Sequence, residues 1–302
     1  MPSFRTGKVV TLLEQRPGLQ RVEVDLGDGP ERAYALSQLT GPVAVGDRVV
    51  MNTTAVELGL GTGGWHVVHW NLARDEWHER GPGHIIKGRY TSIQSDVGSA
   101  EEHLESLAEV ESISGMPVVA AALHSQVPAL AVAFKHRAPG ARLAYVMTDG
   151  AGLPLAMSDL VAALRARNLL DATITAGHAF GGDYEAVSIY SALAVARHVA
   201  HADAAVVAMG LERHVLDEAH AELLGDPGLR VVVLPVGRQA AVQHGDVDAA
   251  AGLLHAPFRV DHVRVPGPFA AQRRGGPREG VASGRRRRDD GERDQRQANC
   301  GA

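Results

Sequence analysis

Cysteine is almost missing from this chain of 302 residues: the one present, Cys300, is third from the end. An internal disulfide framework and a thiolate metal site both need more, so both are excluded. Long apolar runs are missing too. The longest, 117–134, is broken by His124, Ser125 and Gln126 and falls short of the roughly 18 uninterrupted residues of a spanning helix. The opening MPSFRTGKVVTLLEQ has too short an apolar segment for a secretory signal, so the expectation is a cytoplasmic protein with no membrane partner. Lysine is nearly absent as well. Lys8, Lys87 and Lys135 are the only lysines among 30 basic residues, a bias that with abundant alanine fits GC-rich coding better than a demand for guanidinium chemistry.

Hydrophobic residues make up 45% and charged residues 22%, which places the bulk among globular chains. The net charge of -5 is uneven. From Gln272 onward nine arginines face five acidic residues, so the tail contributes +4 and the body carries -9. A body this acidic makes nucleic acid an unlikely partner. Within the tail, the arginine block 285–288 is followed at once by Asp289 and Asp290, the pattern of a solvated segment.

Residues 1–72 read as a small β-barrel-like domain. Short runs such as GKVVTLL, QRVEVDL, ERAYAL, VGDRVVMN and WHVVHWNL recur about every ten residues, with Gly, Pro and Asp between them. The glycine run 59–64 lies between two of these strands, so a β connection fits it better than a phosphate loop. Residues 73–115 form a polar linker whose second half, SAEEHLESLAEVESIS, predicts an acidic helix. From residue 116 the style changes. VVAAAL (118–123), RLAYVMT (142–148), ATITAG (172–177) and AAVVAMG (204–210) are nearly continuous apolar runs that alternate with helix-period segments. Such runs are strands of a parallel sheet covered on both faces, so residues 116–266 predict a flavodoxin-like or Rossmann-like α/β domain. A helix over 184–200, another over 212–224 and a strand over 229–234 are expected within it. Residues 267–302 are an Arg/Gly-rich tail with too little apolar surface to order, and they predict disorder.

In an open parallel sheet, ligands bind where strands run out at their carboxyl ends. Three such loops deliver His124, Asp149 and His178 to one edge, with Ser125, Gly150, Gly181, Gly182 and Asp183 beside them. Two imidazoles and a carboxylate suit a divalent metal or an acid–base set, and glycine amides before a helix suit an anion. Plainer roles exist for each: Asp183 as a helix cap, Asp149 and Gly150 as a turn pair, the histidines as partners of loop backbone. If one site is shared, the three side chains should lie within about 10 Å of one another. Ser125 and Ser158 lack the elbow of a serine hydrolase.

The ordered series LTGPVAVGDRVVMNTTAVELGLGTGGWHVVHWNL, GPGHIIKGRYTSIQ, MPVVAAALHSQVPA, AYVMTDGAGLPLAMSDLV and ATITAGHAFGGDYEAVSIYSAL resembles an uncharacterised bacterial family, the domain of unknown function 3866. The likeness runs over about residues 6–210. It implies membership and brings no activity, so no residue role comes with it. Past 210 the family's glycine- and threonine-rich loop and later paired histidines are replaced by LERHVLDEAHAELLGDPG and the tail.

Two function classes follow from the residues, beside a third, nucleic-acid association through barrel and tail, that the acidic body disfavours. The first is a small-molecule protein that takes an anionic ligand or a metal at the three loops. Its enzyme version is a hydrolase or transferase with His124 or His178 as general base and Asp149 as orienter or metal ligand. The second is a non-catalytic binding or regulatory module at the same loops. Neither a cofactor nor an oligomeric state is legible.

Overall fold

The computed structural model describes residues 1–60, 63–152 and 154–209, with the backbone of a short strand at 231–233. The helix expected over 212–224 and the tail over 267–302 lie outside the described residues.

Strands β1 (Phe4–Arg16), β2 (Leu19–Asp25), β3 (Pro30–Ala35), β4 (Arg48–Asn52) and β5 (Trp65–Asn71) close into a barrel in the order β1-β2-β3-β5-β4. Short helices α1 (Ser37–Thr40) and α2 (Thr54–Glu57) lie in the connections. Closure depends on the length of β1, which pairs with β4 over 4–8 and with β2 over 8–16. Register shifts between Val9 and Thr11 and between Leu12 and Glu14 bend it from one partner to the other. The inward residues, among them Val9, Val22, Val24, Val49, Met51 and Val68, form an aliphatic core.

The polar segment that follows carries a two-stranded hairpin, β6 (Ile86–Lys87) with β7 (Ser95–Asp96), then α3 (Ala100–His103) and a 3-10 turn at Glu105–Glu109. One continuous acidic helix does not form. Glu101 and Glu102 instead reach other segments, accepting from the amides of Val187, His84 and Ile85.

The remainder is the doubly covered parallel sheet. Strand β8 (Val118–Ala121) leads through α4 (Val127–Arg137) to β9 (Leu143–Met147), then through α5 (Asp159–Ala166) to β10 (Ala172–Ala176). Next come β11 (Tyr184–Ala186), α6 (Ile189–Ala194), a π turn at Val195–Val199, β12 (Ala204–Ala208) and β13 (Val231–Val233). Spatial order is β11-β10-β9-β12-β8-β13, and every described pairing is parallel. On β9, Leu143, Tyr145 and Met147 pack with Val127, Ala131, Val161 and Leu164 of α4 and α5. Ala144 and Val146 pack with Ala192 and Leu193 of α6. Both faces being covered is why the strands read as unbroken apolar runs.

The helix expected from Tyr184 is corrected. Tyr184–Ala186 adds a strand beside β10, and the helix starts only at Ile189, where Ser188 accepts from the Ser191 amide.

Barrel and sheet meet along buried Leu19, Leu36 and Phe180. Arg21 reaches both oxygens of Asp159, at 2.7 and 2.6 Å, and Arg16 Nε donates to Ala156 O at 3.0 Å. Gly18 turns at φ 76°, and a Cβ there would lie 3.0 Å from Gln38 Oε1 and 3.3 Å from Ala156 Cβ. The turn thus answers both to its backbone and to the seam.

The hairpin is tied to the sheet by an ion pair taken out of water. Lys87 and Glu185 are 3% and 8% exposed and lie 2.6 Å apart. Lys87 Nζ also donates to Thr175 O at 3.1 Å and Ala179 O at 2.6 Å, so all three ammonium protons are used. Glu185 accepts from Thr175 Oγ1 at 2.7 Å and from Gly181 N at 2.6 Å. Charges buried this way are tolerated only with such full pairing. Lys87→Met should therefore cost about 3–5 kcal/mol by urea denaturation, because it strands a buried carboxylate, and adding Glu185→Gln should recover part of that. A loss under about 1 kcal/mol would mean that water reaches the pair.

Candidate functional site

The eight residues read from the sequence fall into three places. His124 opens a 3-10 turn after β8 and lies under α5, with Nδ1 2.7 Å from Tyr145 Oη and Nε2 2.7 Å from Ser158 Oγ. Ser125, next to it, is exposed. The buried Tyr145 hydroxyl has His124 as its one hydrogen-bond partner among the described residues, so it donates to Nδ1. Nε2 then carries the proton and donates to Ser158 Oγ, which also accepts from Val161 N as the cap of α5. An imidazole that donates to a serine does not activate it. Burial pushes the His124 imidazole below its ordinary pKa and the Tyr145 phenol above its own.

Gly181, Gly182 and Asp183 line a cleft of about 620 Å³ together with Gln38, Trp77 and Glu185. Their polar groups are spent internally. Gly181 N donates to Glu185 Oε1 and Gly182 N to Thr175 Oγ1 at 3.1 Å, so neither amide is open to an anion. Asp183 accepts from Thr173 N at 2.9 Å and from Arg165 at 3.0 Å. It precedes a strand, not a helix, and the capping role expected for it is corrected.

Asp149 and His178 do share a cavity, of about 380 Å³, at the carboxyl edge of the sheet. Asp149 opens a 3-10 turn after β9, with Gly150 exposed beside it, and its Oδ1 accepts from His178 N at 2.8 Å. Gly177 stands at φ 66° against that carboxylate, where any Cβ would collide with Oδ1. The His178 ring is half-buried, and its Nδ1 accepts from Gly88 N at 3.2 Å. A backbone N–H can only donate, so Nδ1 is unprotonated and the neutral ring keeps its proton on Nε2, which has no partner among the described residues. His124 does not line this cavity.

The hairpin completes the cavity with His84, Lys87 and Arg89. His84 lies 3.3 Å from Glu102, and Lys87 is held by Glu185. Arg89 is exposed and has no partner among the described residues. Lys87 and Arg89 went unread because GPGHIIKGRYTSIQ has no period, and His84 is not at a tight metal spacing from His66, His69 or His78. The signal available was the placing of one of three lysines directly after two isoleucines, where a charge must find a buried partner. Among the described residues no group of three His, Cys, Asp or Glu is placed to hold a metal ion, and no helix is long and apolar enough to cross a membrane.

A closed five-stranded barrel joined to a doubly wound parallel sheet defines a two-part α/β protein with a polar cavity at the sheet's carboxyl edge. The chain belongs to the family described as protein of unknown function (DUF3866), which matches residues 32–211, from within β3 to just past β12. Neither a curated protein nor a solved structure matches the chain.

The His124 geometry has a consequence in acid. Above the ordinary imidazole pKa of about 6.5, folded and unfolded chains both carry a neutral ring. Below it the unfolded chain takes up a proton that the folded chain resists, so this contribution to stability falls as the pH drops. Between about pH 7.5 and pH 5, the wild type should lose more unfolding free energy than His124→Gln. Equal losses would mean that the ring is solvated.

Proposed function

We propose that this protein binds a small anionic molecule in the cavity formed by Asp149, His178 and the hairpin residues His84 to Arg89, as a binding module rather than as a hydrolase or transferase. One observation carries this reading: His178 gives its Nδ1 lone pair to Gly88 N–H and presents a donor at Nε2. A general base needs a free lone pair, and a neutral imidazole with its one lone pair engaged offers none. The same N–H and the unpaired Arg89 guanidinium, which lines the same cavity, are suited to an oxyanion. Position favours the reading too, since ligands of open α/β sheets lie beyond the carboxyl ends of the strands. The acidic balance outside the tail disfavours nucleic acid, and the scarcity of cysteine fits a cytoplasmic setting.

Arg89 makes no contact that the fold needs, which makes it the sharpest probe. Inorganic phosphate or acetate at millimolar concentration should raise the melting temperature of the full chain, as mass action requires for a ligand of the folded state. Arg89→Gln should melt with the wild type in buffer and bind the same anion about tenfold more weakly by calorimetry, the loss of one charge-assisted contact. Absence of any response to either anion in the wild type would end the reading. A divalent ion that stabilises where the anions fail would move the metal alternative ahead.

A further inference from the structure

We infer that the ligand of this cavity carries a hydrogen-bond donor, a hydroxyl or an ammonium group, next to its anionic group; the inference rests on the anion reading above. The charges in the wall lead there by elimination. Lys87 has spent its three protons on Thr175, Ala179 and Glu185. His84 has its Nδ1 3.3 Å from Glu102 and its ring almost wholly in solvent, so it is no buried cation. Besides the exposed His84 ring, what remains is one guanidinium, Arg89, one N–H at His178 Nε2 and one carboxylate, Asp149.

Asp149 is only half used. Its Oδ1 is fixed by the His178 amide, while Oδ2 accepts no hydrogen bond among the described residues. It forms no ion pair with Arg89, although both line the cavity. Gly177, which has no Cβ to push the carboxylate away, lets it pack down at the cavity wall. Asp149 is exposed, and a bare carboxylate facing a bound anion still repels it. A donor on the ligand changes the sign, because Oδ2 then accepts a charge-assisted hydrogen bond. The wall is thus complementary to an oxyanion for Arg89 and His178 with a neighbouring O–H or N–H for Asp149. Small hydroxy acids, amino acids and hydroxylated phosphate esters share that chemistry.

Matched probes separate the donor from the anion. Propanoate, lactate and alanine share a three-carbon skeleton and differ at one position, and propyl phosphate against glycerol phosphate makes the same comparison for a phosphate. Calorimetry on the full wild-type chain should give at least one donor-bearing probe binding about tenfold tighter than its plain partner, the value of one hydrogen bond to a charged group. In Asp149→Asn the amide oxygen can keep the bond from His178 N while its NH₂ takes the place of Oδ2. The ratio should then fall toward one, with the plain anion gaining. Should that variant melt early, the wild-type ratio decides alone. Equal binding of donor-bearing and plain probes to the wild type overturns this inference and leaves the anion reading standing. Binding of neither overturns both.

Discussion

Two opposite charges with almost no access to water, Lys87 and Glu185, tie the hairpin to the parallel sheet. Neither belongs to a large element. Lys87 ends a two-residue strand, and Glu185 is the middle of a three-residue one. Strands so short carry little stability of their own, and their position comes from the pair and from the carbonyls and amides around it. The pair also partitions space. Lys87 lines the smaller cavity with Asp149 and His178, and Glu185 lines the larger cleft toward the barrel. One ion pair therefore sets the wall of both, and it adds little net charge to either because it is neutral as a unit.

The same logic of spent hydrogen bonds divides architecture from recognition. His124 and His178 look equivalent along the chain, each in a loop that follows a parallel strand. Both nitrogens of His124 are engaged by side chains, Tyr145 of β9 and Ser158 at the start of α5, which makes it a half-buried connector between sheet and helix. His178 is engaged at one nitrogen only, by a backbone amide of the hairpin. What distinguishes them is the partner that arrives from elsewhere in the chain, across 34 residues for Ser158 and 90 for Gly88.

That difference marks how much was legible. The barrel was, because turn residues punctuate its strands. The parallel sheet was, because strands covered on both faces leave an unbroken apolar trace. The grouping of Asp149 with His178 followed from strand-end logic alone. The strand at Tyr184–Ala186 was not legible, since YEAVSIYSAL keeps a helical rhythm and its first residues are extended by pairing with β10 and by the partners of Glu185. Nor was the hairpin, whose two strands of two residues each have no period to detect. Tertiary partners overrode local preference at both places, and both border the cavities.

The order of strands in the parallel sheet has a consequence for how the chain assembles. Strand β12 lies between β8 and β9, so until residues 204–208 exist, β8 has neither of its described strand neighbours. A ribosome would release β9, β10 and β11 as a contiguous group able to pair at once, while β8, made earlier, waits. Insertion of β12 then joins the two parts by contacts that reach back 61 and 87 residues, a closure of high loop entropy. Assembly of the sheet is in this sense a keystone process, with its middle course laid after its flanks, and a chain interrupted just short of β12 would hold the flanks without the strand that makes them one sheet.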